Sequence, residues 1–114
     1  MTTITYTAFD HHVTLRLEGH ADYAGPGEKD VVCAAVSTLT YTLINYLDDK
    51  ATEGKIRNLS CKDTPGDMLI EFELVDYKEW PQVCDFLLTG YSMISEHYPE
   101  NVSLKRWGTL FCGM

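Results

Sequence analysis

Residues 19–37 read Gly19-His20-Ala21-Asp22-Tyr23-Ala24-Gly25-Pro26-Gly27-Glu28-Lys29-Asp30-Val31-Val32-Cys33-Ala34-Ala35-Val36-Ser37, and their reading decides the fold. The stretch begins where an alternating strand stops and crosses a connection broken by Gly25-Pro26-Gly27. It then enters an amphipathic helix, for which Asp30 is a good N-cap. Beyond the cap, Val32, Ala35, Val36, Leu39, Leu43, Tyr46 and Leu47 recur at the spacing of one helical face. That spacing predicts a helix to about Asp49, ending before Glu53-Gly54. A second face carries Cys33, Ser37, Thr40 and Ile44, which sets Cys33 and Ser37 one turn apart.

Outward from this centre, residues 3–9 and 12–18 read as two strands. In the second, Val13, Leu15 and Leu17 alternate with Thr14, Arg16 and Glu18, the period of a half-buried strand. Asp10-His11-His12 between them reads as a solvated hairpin turn, because adjacent turn positions do not aim both rings at one metal ion. Residues 55–61 and 67–75 form a second strand pair joined through Asp63-Thr64-Pro65-Gly66. A helix over 78–97 carries Trp80, Val83, Cys84, Leu87, Tyr91, Ile94 and Tyr98, with Pro81 in its first turn and Pro99 stopping it. A last strand covers 101–107. The order β-β-α-β-β-α-β predicts an α+β fold: a mainly antiparallel sheet of about five strands, with two helices packed on it, as a single domain over residues 1–114. The apolar tail Gly108–Met114 is expected to pack back or to meet a second subunit.

Composition narrows the functions. With 114 residues the chain can bury a core without disulfides or metal. Nine Lys+Arg stand against 17 Asp+Glu, a net charge of −8, which argues against nucleic acid as a direct ligand and is compatible with a basic polypeptide partner. No run of about 18 apolar residues and no basic, apolar leader is present, so neither a membrane span nor a secretory signal is expected, and a cytoplasmic location follows. The cysteines at 33, 61, 84 and 112 form no Cys-x-x-Cys pair, so neither a zinc knuckle nor a thioredoxin-like site is expected. No cofactor is implied. Cys61 and Cys84 read as small buried hydrophobes, and His97 as a structural residue late in the second helix.

Cys33 reads differently. A cysteine in the first turn of a helix meets unpaired backbone N–H groups and the positive end of the dipole, which favour thiolate. His20, on a strand terminus, is placed to take up the proton, and a thiolate is the nucleophile of acyl transfer. The pattern is that of a cysteine hydrolase. Asp30 caps the helix or orients His20, Ser37 bonds the thiol or a backbone carbonyl, and Gly19 lets the chain turn sharply. Tyr23 with Gly25, Pro26 and Gly27 forms a lid over substrate or an ordinary loop.

The residues Gly19-His20-Ala21, a short Gly-containing loop and Asp30-Val31-Val32-Cys33-Ala34-Ala35-Val36-Ser37 resemble the ribosomal-processing cysteine protease (Prp) family. The resemblance implies a homodimeric endopeptidase that removes the N-terminal extension of the large-subunit ribosomal protein numbered twenty-seven, a basic partner. It implies cutting after an aromatic residue in an extended segment, with a basic stretch following. By motif position Cys33 is then the nucleophile and His20 the general base, and Asp30 and Ser37 fall on further motif positions. His20 and Cys33 stand 13 positions apart, one more than is usual in the family, and the extra residue falls near Gly25-Pro26-Gly27. The alternative is a non-catalytic ribosome-assembly module that holds the same partner without cutting it. A thiol redox sensor ranks third, for want of a resolving cysteine nearby in sequence.

Overall fold

Alternation of apolar and polar residues builds the sheet. In the computed structural model, which describes residues 1–25 and 29–108, the elements are β1 (Thr2–Phe9), β2 (His12–Glu18), α1 (Val31–Thr52), β3 (Ile56–Thr64), β4 (Asp67–Leu74), α2 (Trp80–His97) and β5 (Val102–Gly108). The expected element order holds. Helix α1 runs past the expected Asp49 to Thr52 and is capped by Glu53, while α2 starts at Trp80 with Pro81 in its first turn.

The strands lie in the order β3-β4-β2-β1-β5. Three neighbouring pairs are antiparallel, and β1 with β5 is parallel. The sheet is therefore mixed, for a simple reason. Each helix is a crossover that carries the chain back along the sheet, so β3 runs with β2, and β5 runs with β4 and β1. Register puts the apolar positions on one face: Ile4 faces Leu17, Tyr6 faces Leu15 and Ala8 faces Val13, and β4 continues the rows with Phe72 and Ile70. All eight of these side chains are buried. Thr3, Thr5 and Thr7 project from the other face and remain partly exposed.

Helix α1 lays Val32, Val36, Thr40, Leu43 and Leu47 against the sheet. This stripe is rotated from the expected face: Ala35 is exposed, Leu39 and Tyr46 are half-buried, and Thr40 is fully buried. Thr40 enters the core because its hydroxyl is satisfied there, donating to the Val36 carbonyl at 2.8 Å and meeting the Tyr91 hydroxyl at 2.6 Å. Burial pushes the Tyr91 phenol up to about 12. By length and composition alone α1 would pass as a membrane-crossing segment; here its apolar stripe packs on the strands. On α2 the buried set is Trp80, Cys84, Leu87, Leu88 and Tyr91, and the Trp80 indole donates to the Tyr6 hydroxyl at 3.2 Å.

Strand β3 is an edge strand. It carries a bulge between Arg57 and Ser60, and Arg57 pairs with Glu73 at 2.8 Å. Its exposure corrects the expectation for Cys61, which is exposed rather than buried. His11 and His12 are exposed at the β1–β2 turn, and His97 contacts the Met93 carbonyl at 2.8 Å near the end of α2. The residues of the tail beyond Gly108, Cys112 among them, lie outside the described residues.

Candidate active site

At the end of β2 the chain must bend beside the first strand. Gly19 does so at φ +87°, where a Cβ would stand 2.3 Å from the Met1 carbonyl oxygen, so no larger residue fits. Its amide donates to the Gly66 carbonyl at 2.8 Å, extending the register in which Glu18 faces Asp67. His20 follows, exposed, with its ring beside the β3–β4 turn. Beyond it the connection is pinned at several points. Ala21 is buried and its carbonyl accepts from Asn101 Nδ2 at 2.9 Å. Asp22 pairs with the N-terminal ammonium at 3.3 Å, and the Tyr23 ring meets Tyr98 edge-on at 5.2 Å. Gly25 is exposed, whereas Pro26 and Gly27 lie outside the described residues.

Asp30 closes the connection and starts the helix. One carboxylate oxygen accepts from the Cys33 amide at 2.9 Å and the other from the Tyr23 amide at 3.1 Å. The Cys33 N–H first, helped by the Tyr23 N–H, holds this carboxyl below the usual aspartate value. Both oxygens thus serve the backbone, which accounts for Asp30 as a cap and a loop tether. Cys33 is half-buried with a free thiol, and Ser37 is half-buried one turn on.

His20, Cys33, Ser37 and Gly19 line one open cavity of about 230 Å³. Leu17, Val36 and Thr40 line it with them, and the turn Thr64-Pro65-Gly66-Asp67 supplies a wall. At the rim the Tyr41 hydroxyl donates to Asp63 at 2.6 Å, and that bond raises the Tyr41 phenol above its ordinary value. Tyr23 does not line the cavity; its ring is held by Tyr98. A thiol at a helix start and an imidazole lining the same open cavity are the two groups that thiol acyl transfer uses. A larger groove between α1 and α2, about 440 Å³ and lined by Leu39, Tyr46, Val83 and Phe86 among others, carries no cysteine, histidine or acid. Among the described residues no group of three or more His, Cys, Asp or Glu is placed to hold a metal ion.

The sequence left the β3–β4 turn, Tyr41 and Met68 outside the site. Tyr41 reaches it from α1, two turns beyond Cys33, and the turn and Met68 reach it because β4 pairs with β2, which brings Gly66 beside Gly19. Only the strand order shows this, and no local pattern encodes it.

Residues 1–103 match the family described as cysteine protease Prp. The chain belongs to that family. Prp from Staphylococcus aureus, a ribosomal processing protease crystallised with a covalently linked product peptide, superposes with a TM-score of 0.68 at 26% identity, covering 94% of this chain and 100% of that one. The same Prp with a substrate peptide gives 0.64 at 25% identity, with the same coverage. SMU.848 from Streptococcus mutans gives 0.67 at 28% identity over 96% of each chain. No curated protein matches the sequence. Like these Prp structures, the chain is α+β, with two helices on a five-stranded sheet.

Proposed function

We propose that this chain is a cysteine endopeptidase in which Cys33 is the nucleophile and His20 the general base. The observation that carries the reading is the presence of both side chains in the lining of one cavity, at the start of α1. His20 takes the Cys33 proton, and the sulfur attacks the scissile carbonyl carbon. The C–N bond then breaks as the imidazolium returns its proton to the leaving amine. Water, deprotonated by His20, attacks the resulting thioester; the C–S bond breaks, releasing the new carboxylate and restoring the thiol. The dipole of α1 favours the sulfur anion on this path. Asp30 fixes the helix start under Cys33, and Gly19 fixes the backbone before His20. Ser37 lines the cavity one turn further on, and Tyr23 and Gly25 belong to the connection between His20 and the start of α1.

The substrate we propose is the precursor of the large-subunit ribosomal protein numbered twenty-seven, cut by a homodimer at its N-terminal extension. Support comes from the residue motif, from the S. aureus relative, which is a ribosomal processing protease, and from a net charge of −8 that suits a basic partner. The test incubates the precursor with wild type, Cys33→Ser and His20→Ala and reads the products by mass. Loss of the extension with wild type alone is expected. Binding without a cut by wild type overturns the protease reading in favour of a holding module, and cutting by Cys33→Ser removes Cys33 as nucleophile.

A further inference from the structure

The turn between β3 and β4 lies far in sequence from the histidine, yet it meets that ring. A Cβ built on Gly66 would stand 3.0 Å from His20 Nε2, 3.5 Å from Cε1 and 3.6 Å from Cδ2. Three ring atoms therefore lie against the one residue of the turn that has no side chain. The turn is itself held firmly. Gly19 donates to the Gly66 carbonyl at 2.8 Å, Thr64 Oγ1 donates to the Asp67 carbonyl at 3.1 Å, and Asp67 pairs with Lys62 at 3.1 Å and with Arg16 at 3.4 Å. Gly66 adopts φ +74°, a conformation that glycine reaches without steric cost. That conformation alone would explain a glycine. The ring contact is a second and separate reason.

We propose that Gly66 is a positioning residue for His20: its bare Cα gives the imidazole a flat rest, which sets the ring's reach toward Cys33. The proposal rests on the general-base reading of His20 above. A side chain at position 66 would displace the ring from below, while the thiol, held on α1, would stay where it is.

Gly54 provides the control. It has nearly the same conformation, φ +78°, and nothing within 4 Å of an added Cβ. Gly54→Ala therefore carries the backbone strain without any ring displacement. The readout is the rate of Cys33 alkylation by iodoacetamide against pH, followed by peptide mass so that Cys61 is scored separately, together with the melting temperature. Both alanine variants are expected to melt lower than wild type. Gly66→Ala alone is expected to slow Cys33 alkylation near neutral pH by about fourfold, since a 3.0 Å contact asks the ring to give by a few tenths of an ångström and misplacing a reacting group by about 1 Å costs up to roughly a hundredfold. Its pH profile should approach that of His20→Ala. Asparagine tolerates left-handed backbone better than alanine, so Gly66→Asn against Gly54→Asn serves if Gly66→Ala does not fold.

A wild-type alkylation profile in both Gly66 variants, with melting lowered as in the Gly54 variants, overturns the proposal. The general-base reading fails by a different sign: His20→Ala that alkylates like wild type removes that reading, and the positioning role falls with it.

Discussion

Replacing Asp30 by alanine removes two hydrogen bonds that do different jobs. The bond from the Cys33 amide caps α1 at 2.9 Å, and the bond from the Tyr23 amide ties the connection back to the helix at 3.1 Å. Loss of an N-cap aspartate costs about 0.5–2 kcal/mol, centred near 1. The tether is exposed, so it belongs at the low end of the net hydrogen-bond range, about 0.5 kcal/mol. Asp30→Ala should therefore cost about 1.5 kcal/mol. Asp30→Asn keeps an acceptor for the cap but turns an amide N–H₂ toward the Tyr23 amide, and should cost only the tether, about 0.5 kcal/mol. In urea, with a slope near 2 kcal/mol/M, these losses move the midpoint down by about 0.75 and about 0.25 M.

Acid supplies an independent check. The folded protein holds this carboxyl below its unfolded value, through the Cys33 N–H above all, and an unfolded aspartate titrates near about 3.9. The charged form contributes stability that is complete above that value and is lost as pH falls through the folded one. The gap between wild type and Asp30→Ala should therefore be level from neutral pH down to about pH 5 and narrow below about pH 4. Equal losses for the Asn and Ala variants, or a gap that persists undiminished into strong acid, would refute the reasoning.

Two further outcomes follow from bonds in and around the cavity. Thr40→Val leaves the buried Tyr91 hydroxyl without its 2.6 Å partner, which should cost about 1–3 kcal/mol in urea unfolding. Adding Tyr91→Phe should then cost much less than it does in wild type, and strict additivity of the two would count against the pair. At the rim, Asp63→Asn should lower the Tyr41 titration toward the ordinary phenol range, because the bond to Asp63 is the main cause of its rise. A difference titration against Tyr41→Phe isolates that group, and an unchanged curve would show that the bond does not hold in solution.

Much of the fold could be read locally. The strand readings placed β1, β2 and β4 to within a residue or so, β2 by its period-two pattern, and Asp30 and Pro81 marked helix starts that the structure also has. The reading failed where a distant partner changed what a side chain could do. Thr40 reads as part of a second helical face with Cys33, Ser37 and Ile44, and it enters the core because Tyr91 satisfies its hydroxyl there. Ala35 reads as core, yet the helix turns it outward because Thr40 takes the buried stripe. Cys61 is exposed because β3 is an edge, a property of strand order and not of any heptapeptide. In the site, Gly19, His20, Cys33 and Ser37 were legible together and share one cavity. Asp30 was legible as a cap, and its tether to Tyr23 was not. The wall beside His20 was invisible, since Gly66 arrives through the pairing of β4 with β2.

The parallel edge pair carries a consequence for synthesis. Thr2 lies beside Val102, and the ladder continues to Ala8 beside Gly108. A nascent chain can zip β1 to β2 as a hairpin almost as soon as both emerge, but the outer rim of β1 stays bare until nearly the whole sequence has been translated. That rim belongs to a strand bearing Ile4 and Tyr6, and an unfinished edge of this kind invites strand addition from other molecules. Truncated or stalled products ending before Val102 should therefore be the aggregating species, and release of the last strand is the event that makes the sheet safe.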